Sequence, residues 1–558
     1  MIQQIGFKNF RRFENFPMMD LSKVNLLVGT NNSGKSTLVK GAILLLDNLK
    51  KMDNFTYYNG ESYAPIITPS FEFDSSLNHD LHIGTFKNAL YAGATKDVIT
   101  FMMKIDGMLV EVDVHGDKNS DETTGSVIRF RLYSEEKGLD IKLDFIEHTM
   151  SLNVTAIETN KDEIELLKTE QANVMKQIIS IRKLLSTSIK PIEIADYNQE
   201  LKVLQNTQRK LNTKIKELEK EGTTNTKLSD KTPIHFSSSE NSIYGIIKST
   251  AYNASKTIGA KKVSDKENIF QSSLIGEFND KIRRFVNSFV NSIKCTKIEY
   301  IYAHAVSQKH ILYEHDKNDF LAQTVHQFKK LKVQKGDPLD RSIIEALKRF
   351  QIGDDYKITS FEGEAYIVEI HNQLGWTNLA NKGMGAIQLF TLELKLNMIY
   401  ALTAINAYIK SNVDVEEETN NVWVFIEEPE QNLHPDFQSK LTEEFKNLGE
   451  VGICCMIETH SEYIIRKSQV LVAEENYQNE KDLNDNNSFS VTYFDTNDKE
   501  EPYYKMEYEI TGGFKRPFGP GFFDVTPDLD MKIIQKEMDV ADKINSTNDI
   551  NGLLSIIK

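Results

Sequence analysis

Gly29-Thr30-Asn31-Asn32-Ser33-Gly34-Lys35-Ser36 matches the phosphate-binding pattern G-x-x-x-x-G-K-S, with Thr37 next in line. Leu26, Leu27 and Val28 lead into it as the end of an apolar strand, and the spacing after it predicts a helix from about Ser36 to Asn48. The setting is therefore strand, loop, helix. Gly29 and Gly34 let backbone N–H groups turn inward onto phosphate oxygens, and the helix N-terminus adds partial positive charge. Lys35 has the reach for β and γ phosphates, and the Ser36 hydroxyl is a suitable Mg²⁺ ligand. Gly29, Asn31, Asn32, Ser33, Gly34, Lys35, Ser36 and Thr37 are the candidate nucleotide contacts. A chance glycine turn would not combine the full match with this setting.

Three further segments lie far down the chain. Val422-Trp423-Val424-Phe425-Ile426 is a short continuous apolar run, the mark of a buried parallel strand, and it opens directly into Glu427-Glu428-Pro429-Glu430. Such a strand can deliver two acids beside the phosphates. Glu427 would hold Mg²⁺ and Glu428 would orient the attacking water, the positioning that phosphoryl transfer needs. Strand ends also carry acids with no such task. Gly452 to Ile457 reads as a second buried strand, followed by Thr459-His460-Ser461. A neutral His460 imidazole there could hydrogen-bond a γ-phosphate, although a lone histidine is more often structural. Asn381-Lys382-Gly383-Met384-Gly385-Ala386-Ile387-Gln388 opens a long apolar helix over 384 to 410, either as an anion-binding N-terminus or as a plain glycine start.

Between these landmarks, Ile2 to Phe7 and Val24 to Val28 read as strands, and 85 to 154 as short antiparallel strands. Residues 160 to 221 carry apolar positions at Ile164, Leu167, Val174, Ile178, Ile181 and Leu185, then at Leu201, Leu204, Leu211, Ile215 and Leu218. This heptad spacing predicts two helices folding back around Ser186 to Asp196, as a surface hairpin or as a coiled-coil arm for a partner. Residues 222 to 242 read as a loop, 319 to 335 and 340 to 350 as helices, 356 to 371 as a hairpin and 474 to 488 as an acidic loop. The expected units are an N-terminal lobe (1–155), the helical hairpin insert (156–222), a linker and helical region (223–350) and a C-terminal lobe (351–558).

The 558 residues include 66 basic and 81 acidic side chains, a formal charge of −15. That balance argues against a surface coating nucleic acid indiscriminately, but leaves a local basic groove open. The candidate clusters are Lys329, Lys330, Lys332 and Lys335 with Lys348 and Arg349; Lys256, Lys261 and Lys262; and Lys281, Arg283 and Arg284. Direct DNA contact and a merely solvated helix face stay equally open. With 30 Phe, 21 Tyr and 2 Trp to bury, disorder is excluded as the main state. Three cysteines fit a reducing compartment, no zinc-ligand spacing is present, and no apolar run reaches the ~20 residues of a membrane span. A cytoplasmic protein without membrane partners is expected.

In order and spacing, these elements resemble the ABC/SMC-like ATPases, and more closely the bacterial ATPases grouped with the overcoming-lysogenization-defect (OLD) nucleases, RecF and anti-phage defence ATPases. Ile5-Gly6-Phe7-Lys8-Asn9-Phe10-Arg11-Arg12-Phe13 resembles their I-x-x-x-N-F-R-x-F start, and Glu427 through Pro435 is similar to their D/E-E/Q-P-E-x-x-L-H-P segment. Thr377-Asn378-Leu379-Ala380 leading to Gly383, Gly385 and Gln388 resembles their signature, and Gly521-Phe522-Phe523-Asp524 a G-F-F-D tail of one branch. The resemblance implies an α/β fold: an ABC-type ATPase head, a mixed sheet with flanking helices, carrying an inserted antiparallel coiled-coil hairpin and a helical region. It implies ATP and Mg²⁺ as cofactors and two heads paired face to face, in a homodimer or higher even oligomer. Gly383 and Gly385 of one head would then contact the γ-phosphate held by the other, and His434 and Pro435 would sit on the dimer-facing loop.

The usual metal-binding Asp is replaced by Glu427, one methylene longer. OLD proteins continue into a metal-dependent nuclease domain that needs a strand-borne Glu before its Asp-x-Asp. Asp528-Leu529-Asp530 lacks that context, so an effector, a nuclease for instance, is expected on a separate chain. The expected function is an ATPase switch controlling such an effector, with phage defence as its setting. A RecF-like DNA-end-binding ATPase and a nucleotide-gated assembly scaffold with slow hydrolysis are the alternatives.

Overall fold

The computed structural model describes residues 1–53, 68–74, 81–154, 161–187, 201–202, 204–215, 228–236, 242–260, 268–302, 307–412, 421–479, 487–495, 501–519, 522–523 and 525–546. Its strands are β1 (Ile2–Phe10), β2 (Phe13–Asp20), β3 (Val24–Gly29), β4 (Ser70–Glu72), β5 (Val98–Ile105), β6 (Met108–His115), β7 (Thr124–Ser134), β8 (Leu139–Asp144), β9 (Thr149–Val154) and β10 (Leu228–His235). They continue with β11 (Thr296–Ile301), β12 (Leu312–Tyr313), β13 (Asp355–Phe361), β14 (Ala365–Asn372), β15 (Gly375–Asn378), β16 (Asn421–Glu427), β17 (Ile453–Glu458), β18 (Phe489–Phe494) and β19 (Tyr503–Met506). The helices are α1 (Lys35–Lys51), α2 (Phe86–Ala89), α3 (Lys161–Thr187), α4 (204–215), α5 (Ile243–Ala260), α6 (Asn268–Lys294), α7 (Phe320–Lys330) and α8 (Pro338–Arg349). After them come α9 (Met384–Asn412), α10 (Pro435–Glu450), α11 (Glu462–Asn479) and α12 (Val525–Ser546).

The central sheet runs β11-β16-β17-β3-β18-β19, parallel except for β19, which is antiparallel to β18. Its inner strands β16 and β17 are apolar along almost their whole length because both faces are covered. Trp423, Phe425, Cys454, Met456 and Leu27 point into one hydrophobic core. Their neighbours Val422, Val424, Ile426, Ile453, Cys455, Ile457, Leu26 and Val28 point into a second. Alternation along each strand thus feeds two cores rather than one core and solvent.

The first core lies between this sheet and a nine-stranded antiparallel sheet of order β10-β9-β8-β7-β6-β5-β1-β2, with β4 on β7. Helices α1, α5 and α6 fill it, and the buried Tyr244 hydroxyl donates to the Leu49 carbonyl at 3.0 Å. The second core gathers α7, α8, α9, α10 and α11 with the small sheet β12-β14-β13 and its appended β15.

Several predicted elements change. The polar stretch expected as a loop over 222 to 242 contains β10, the edge strand paired antiparallel with β9. Pro233 lies within it, where the pairing register shifts between Asp230 and Ile234; an edge strand tolerates a missing N–H. The acidic loop expected from Glu474 is helical to Asn479, and the helix expected to reach Lys335 ends at Lys330. In the predicted helical hairpin, Leu167, Val174 and Ile178 of α3 pack on Leu211 and Ile215 of α4. Gln171 hydrogen-bonds Asn212, and Gln208 reaches Met175, so the two helices run antiparallel. The turn between them, over 188 to 200, lies outside the described residues, as do Lys261 and Lys262. Among the described residues no helix is long and apolar enough to cross a membrane.

Candidate nucleotide site

The glycine loop leaves the C-terminal end of β3 and enters α1, the edge of a parallel sheet where ligands collect. Gly29 (φ 146) and Gly34 (φ 106) take backbone conformations that L side chains rarely adopt. A Cβ on Gly29 would lie 2.6 Å from the Phe494 carbonyl oxygen, and one on Gly34 2.2 Å from the Phe13 ring. Lys35 is 2% exposed, and its ammonium donates to the carbonyls of Gly29 (3.1 Å) and Thr30 (3.0 Å). Burial lowers its pKa, against the opposing pull of Glu458, Glu428 and Glu430. The Ser33 hydroxyl is buried in the loop without a hydrogen-bond partner. A buried hydroxyl without a protein partner in a phosphate loop is suited to donate to a phosphate oxygen.

The parallel register sets Glu427 of β16 beside Glu458 of β17, and Glu458 beside Leu27 of β3. Residues 422 positions apart in sequence therefore meet: the Ser36 hydroxyl donates to Glu458 Oε2 at 2.7 Å, and Lys35 Nζ lies 3.8 Å from Glu458 Oε1. Burial pushes the Glu458 carboxyl up to about 7, opposed by the Ser36 hydrogen bond and the Lys35 charge. Glu427 is turned differently: its Oε1 accepts from the Tyr300 hydroxyl at 2.8 Å, and no hydrogen bond joins it to Ser36 among the described contacts. The carboxylate hydrogen-bonded to Ser36 is thus that of Glu458, because β17 lies between β16 and β3.

Glu428 has φ 46, an uncommon value for a side-chain-bearing residue, and its N–H donates to the Glu458 carbonyl at 2.8 Å. That bond and a side-chain hydrogen bond from Gln431 hold the turn. The His460 N–H donates to Glu430 Oε1 at 2.6 Å. Burial, then the charge of Lys35, lowers the pKa of the His460 imidazole from its ordinary value, against the opposing charge of Glu428. One donor atom each from Glu428, Glu458 and His460 lie within 4.8 Å of one another. Hard carboxylate oxygens beside a loop hydroxyl suit Mg²⁺, so the residues fit the ion that the site implies.

The glycine start of α9 packs on this chain's own strand-end loop. Gln388 Nε2 donates to the Pro429 carbonyl at 3.3 Å, and a Cβ on Gly385 would lie 2.4 Å from the Asn432 carbonyl oxygen. Gly383 faces open space. His434 caps α10, its Nδ1 accepting from the Asp436 N–H at 3.3 Å, with Pro435 first in the helix. Cys454 and Cys455 are buried strand residues, and Asp530 is exposed on helix α12. Sequence reasoning missed Glu458, Glu430 and Tyr300. The signal for Glu458 was available, since an acid closes the second buried strand just before Thr459-His460.

A phosphate loop at the C-terminal edge of a parallel sheet, faced by acids from neighbouring strand ends, defines an ATPase of the P-loop class. The chain belongs to the AAA ATPase domain family, whose model matches residues 1–465. Nothing among curated proteins matches it. Among solved structures, the Smc head domain with an extended coiled coil bound to the C-terminal domain of ScpA, from Pyrococcus furiosus, aligns over 98% of this chain and 99% of its own, with 10% identity and a TM-score of 0.33. The SMC head domain from Thermotoga maritima aligns over 91% of this chain and 99% of its own, with 9% identity and a TM-score of 0.28. At such TM-scores these likenesses add no weight to the family match.

Proposed function

We propose that this ATPase is a switch: ATP bound on the loop Gly29 to Thr37 draws two heads together, hydrolysis releases them, and the motion governs a separate effector. The observation that carries the reading is the meeting of Lys35 and Ser36 with Glu428, Glu458 and His460 from two neighbouring strand ends. Lys35 leaves the Gly29 and Thr30 carbonyls to neutralise phosphate oxygens. Glu428, poised on a strained turn, orients the attacking water, and neutral His460 donates to the γ-phosphate. Bound Mg²⁺ supplies charge neutralisation on the phosphates.

Gly383, open at the start of α9, offers its backbone to the nucleotide of a second head, with Gly385 and Gln388 setting the helix against the Pro429 to Asn432 loop. This fits an even oligomer; the OLD/RecF-like affiliation and a role in phage defence with a nuclease-like partner extend the reading from the sequence resemblance. Asp530 on an exposed helical face, rather than at a strand end, favours placing any nuclease on another chain. Phosphate release, and mass with and without Mg-ATP, test the reading. ATP-dependent pairing that persists in Glu428→Gln while turnover collapses is the expected result. Normal turnover in that variant would overturn it.

DNA binding is the second reading, favoured by exposed Lys329, Lys330 and Lys332 at the end of α7. Lys335 and Arg349 from the same predicted cluster are already paired, with Asp340 and Asp355 and with Glu444. ATP-dependent, salt-sensitive DNA binding lost in Lys329→Glu/Lys330→Glu would favour it. The assembly-scaffold alternative predicts that deleting 160–221 abolishes complex formation and spares ATP binding.

A further inference from the structure

Lys35 sits in the field of three carboxylates, Glu458, Glu428 and Glu430, and Glu458 in turn feels Glu427 and Glu428. A nucleotide polyphosphate delivered to Lys35 and Ser36 meets this negative charge head on. A divalent cation between phosphate and carboxylate resolves the repulsion, and its position follows from which carboxylate already stands against the Ser36 hydroxyl. That carboxylate is Glu458, at 2.7 Å, 6% exposed and fixed at the end of the strand next to the loop strand. Glu427, the acid in the usual sequence position, spends its Oε1 on Tyr300, one strand further out. The orphaned Ser33 hydroxyl in the same loop independently marks where ligand oxygens belong.

We propose that Glu458, with the Ser36 hydroxyl, holds the divalent cation of the bound nucleotide, and that Glu427 instead anchors the strand end through Tyr300. Glu428 and His460, each with a donor atom within 4.8 Å of a Glu458 oxygen, lie close enough to share the ion before a γ-phosphate arrives. The proposal rests on the nucleotide-site reading above. It makes Glu458 double-edged: it attracts the cation and repels the bare nucleotide.

The test uses full-length protein and two titrations. Mn²⁺ affinity is read by electron paramagnetic resonance in the presence of a non-hydrolysable ATP analogue. Metal-free binding of a fluorescent ATP is read in EDTA. Glu458→Gln is expected to weaken Mn²⁺ by about 10-fold or more and to tighten metal-free ATP, whereas Glu427→Gln leaves both within about 3-fold. Ser36→Ala, with both titrations run well above pH 7 so that the Glu458 carboxyl stays ionised, is expected to weaken Mn²⁺ without tightening metal-free ATP. Loss of packing alone cannot move the two titrations of Glu458→Gln in opposite directions. Unchanged Mn²⁺ affinity in Glu458→Gln, or the loss appearing in Glu427→Gln instead, overturns the assignment while leaving the nucleotide site standing. Equal nucleotide binding by wild type and Lys35→Ala would overturn the site itself.

Discussion

The Ser36 hydroxyl and the Glu458 carboxylate are hydrogen-bonded at 2.7 Å, tying the first turn of α1 to the end of β17. The bond joins two distant parts of the sequence through adjacent parallel strands. Glu458 also meets the turn carrying Glu428, whose N–H donates to the Glu458 carbonyl at 2.8 Å.

Removing Glu428, the acid proposed to orient the attacking water, should separate binding from turnover. Glu428→Gln is expected to lower ATP hydrolysis by about 10²–10⁴-fold while nucleotide affinity stays near wild type. Steady-state phosphate release beside fluorescent-nucleotide titration decides it.

Lys35 holds only two loop carbonyls and a 3.8 Å ion pair. Lys35→Ala should weaken Mg-ATP binding by roughly 10–100-fold, the worth of a charged hydrogen-bonding group. Circular dichroism should be unchanged.

The two glycines of the α9 start should behave differently. Gly385→Ala drives a methyl to within 2.4 Å of the Asn432 carbonyl oxygen, so the helix and the strand-end loop must part. A loss of about 1–3 kcal/mol in a denaturation series is expected. Gly383→Ala meets nothing within 4 Å and should be silent in stability. A drop in the proposed ATP-dependent pairing, read by mass with and without Mg-ATP, would then report contact with a second head.

A buried carboxyl outside the nucleotide site gives a pH dependence. Glu393 on α9 is 2% exposed, and burial, with the Glu444 charge adding to it and Arg349 opposing, raises its pKa above the ordinary carboxylate value. The folded chain thus holds this proton more tightly than the unfolded chain. The associated stability is complete below the unfolded pKa and is lost as pH rises through the folded one. Glu393→Gln, neutral throughout, should gain melting temperature relative to wild type at a pH of about 8.5 and not at about 4.5. Parallel melting curves at the two pH values check the sign.

Much of this site was legible because its elements are local. The loop Gly29 to Ser36 carries its strand, turn and helix in one short stretch, and the apolar runs before Glu427 and Glu458 announce buried strands. The order of those strands was not legible. Only the placement of β17 between β16 and β3 makes Glu458, and not Glu427, the neighbour of Ser36, and periodicity says nothing about sheet order. The edge strand β10 was hidden for another reason. Its polar sequence and Pro233 resemble a loop, and pairing with β9 overrides that propensity. Gly385 read either as part of an anion-binding helix start or as a plain glycine start, and neither reading announced the approach of the Asn432 carbonyl oxygen, 2.4 Å from where a Cβ would lie.

β3 is hydrogen-bonded on one side to β17 and on the other to β18, so both its neighbours are made long after it. During synthesis at ~5–20 residues per second, the strand that carries the nucleotide loop waits on the order of tens of seconds with two bare edges. The antiparallel sheet β5 to β9 can form from nearby hairpins in that interval, giving α1 something to lean on. The ribosome must therefore pass β18 before both edges of the strand that carries the nucleotide loop are covered, and a product truncated short of that strand keeps one edge of β3 bare.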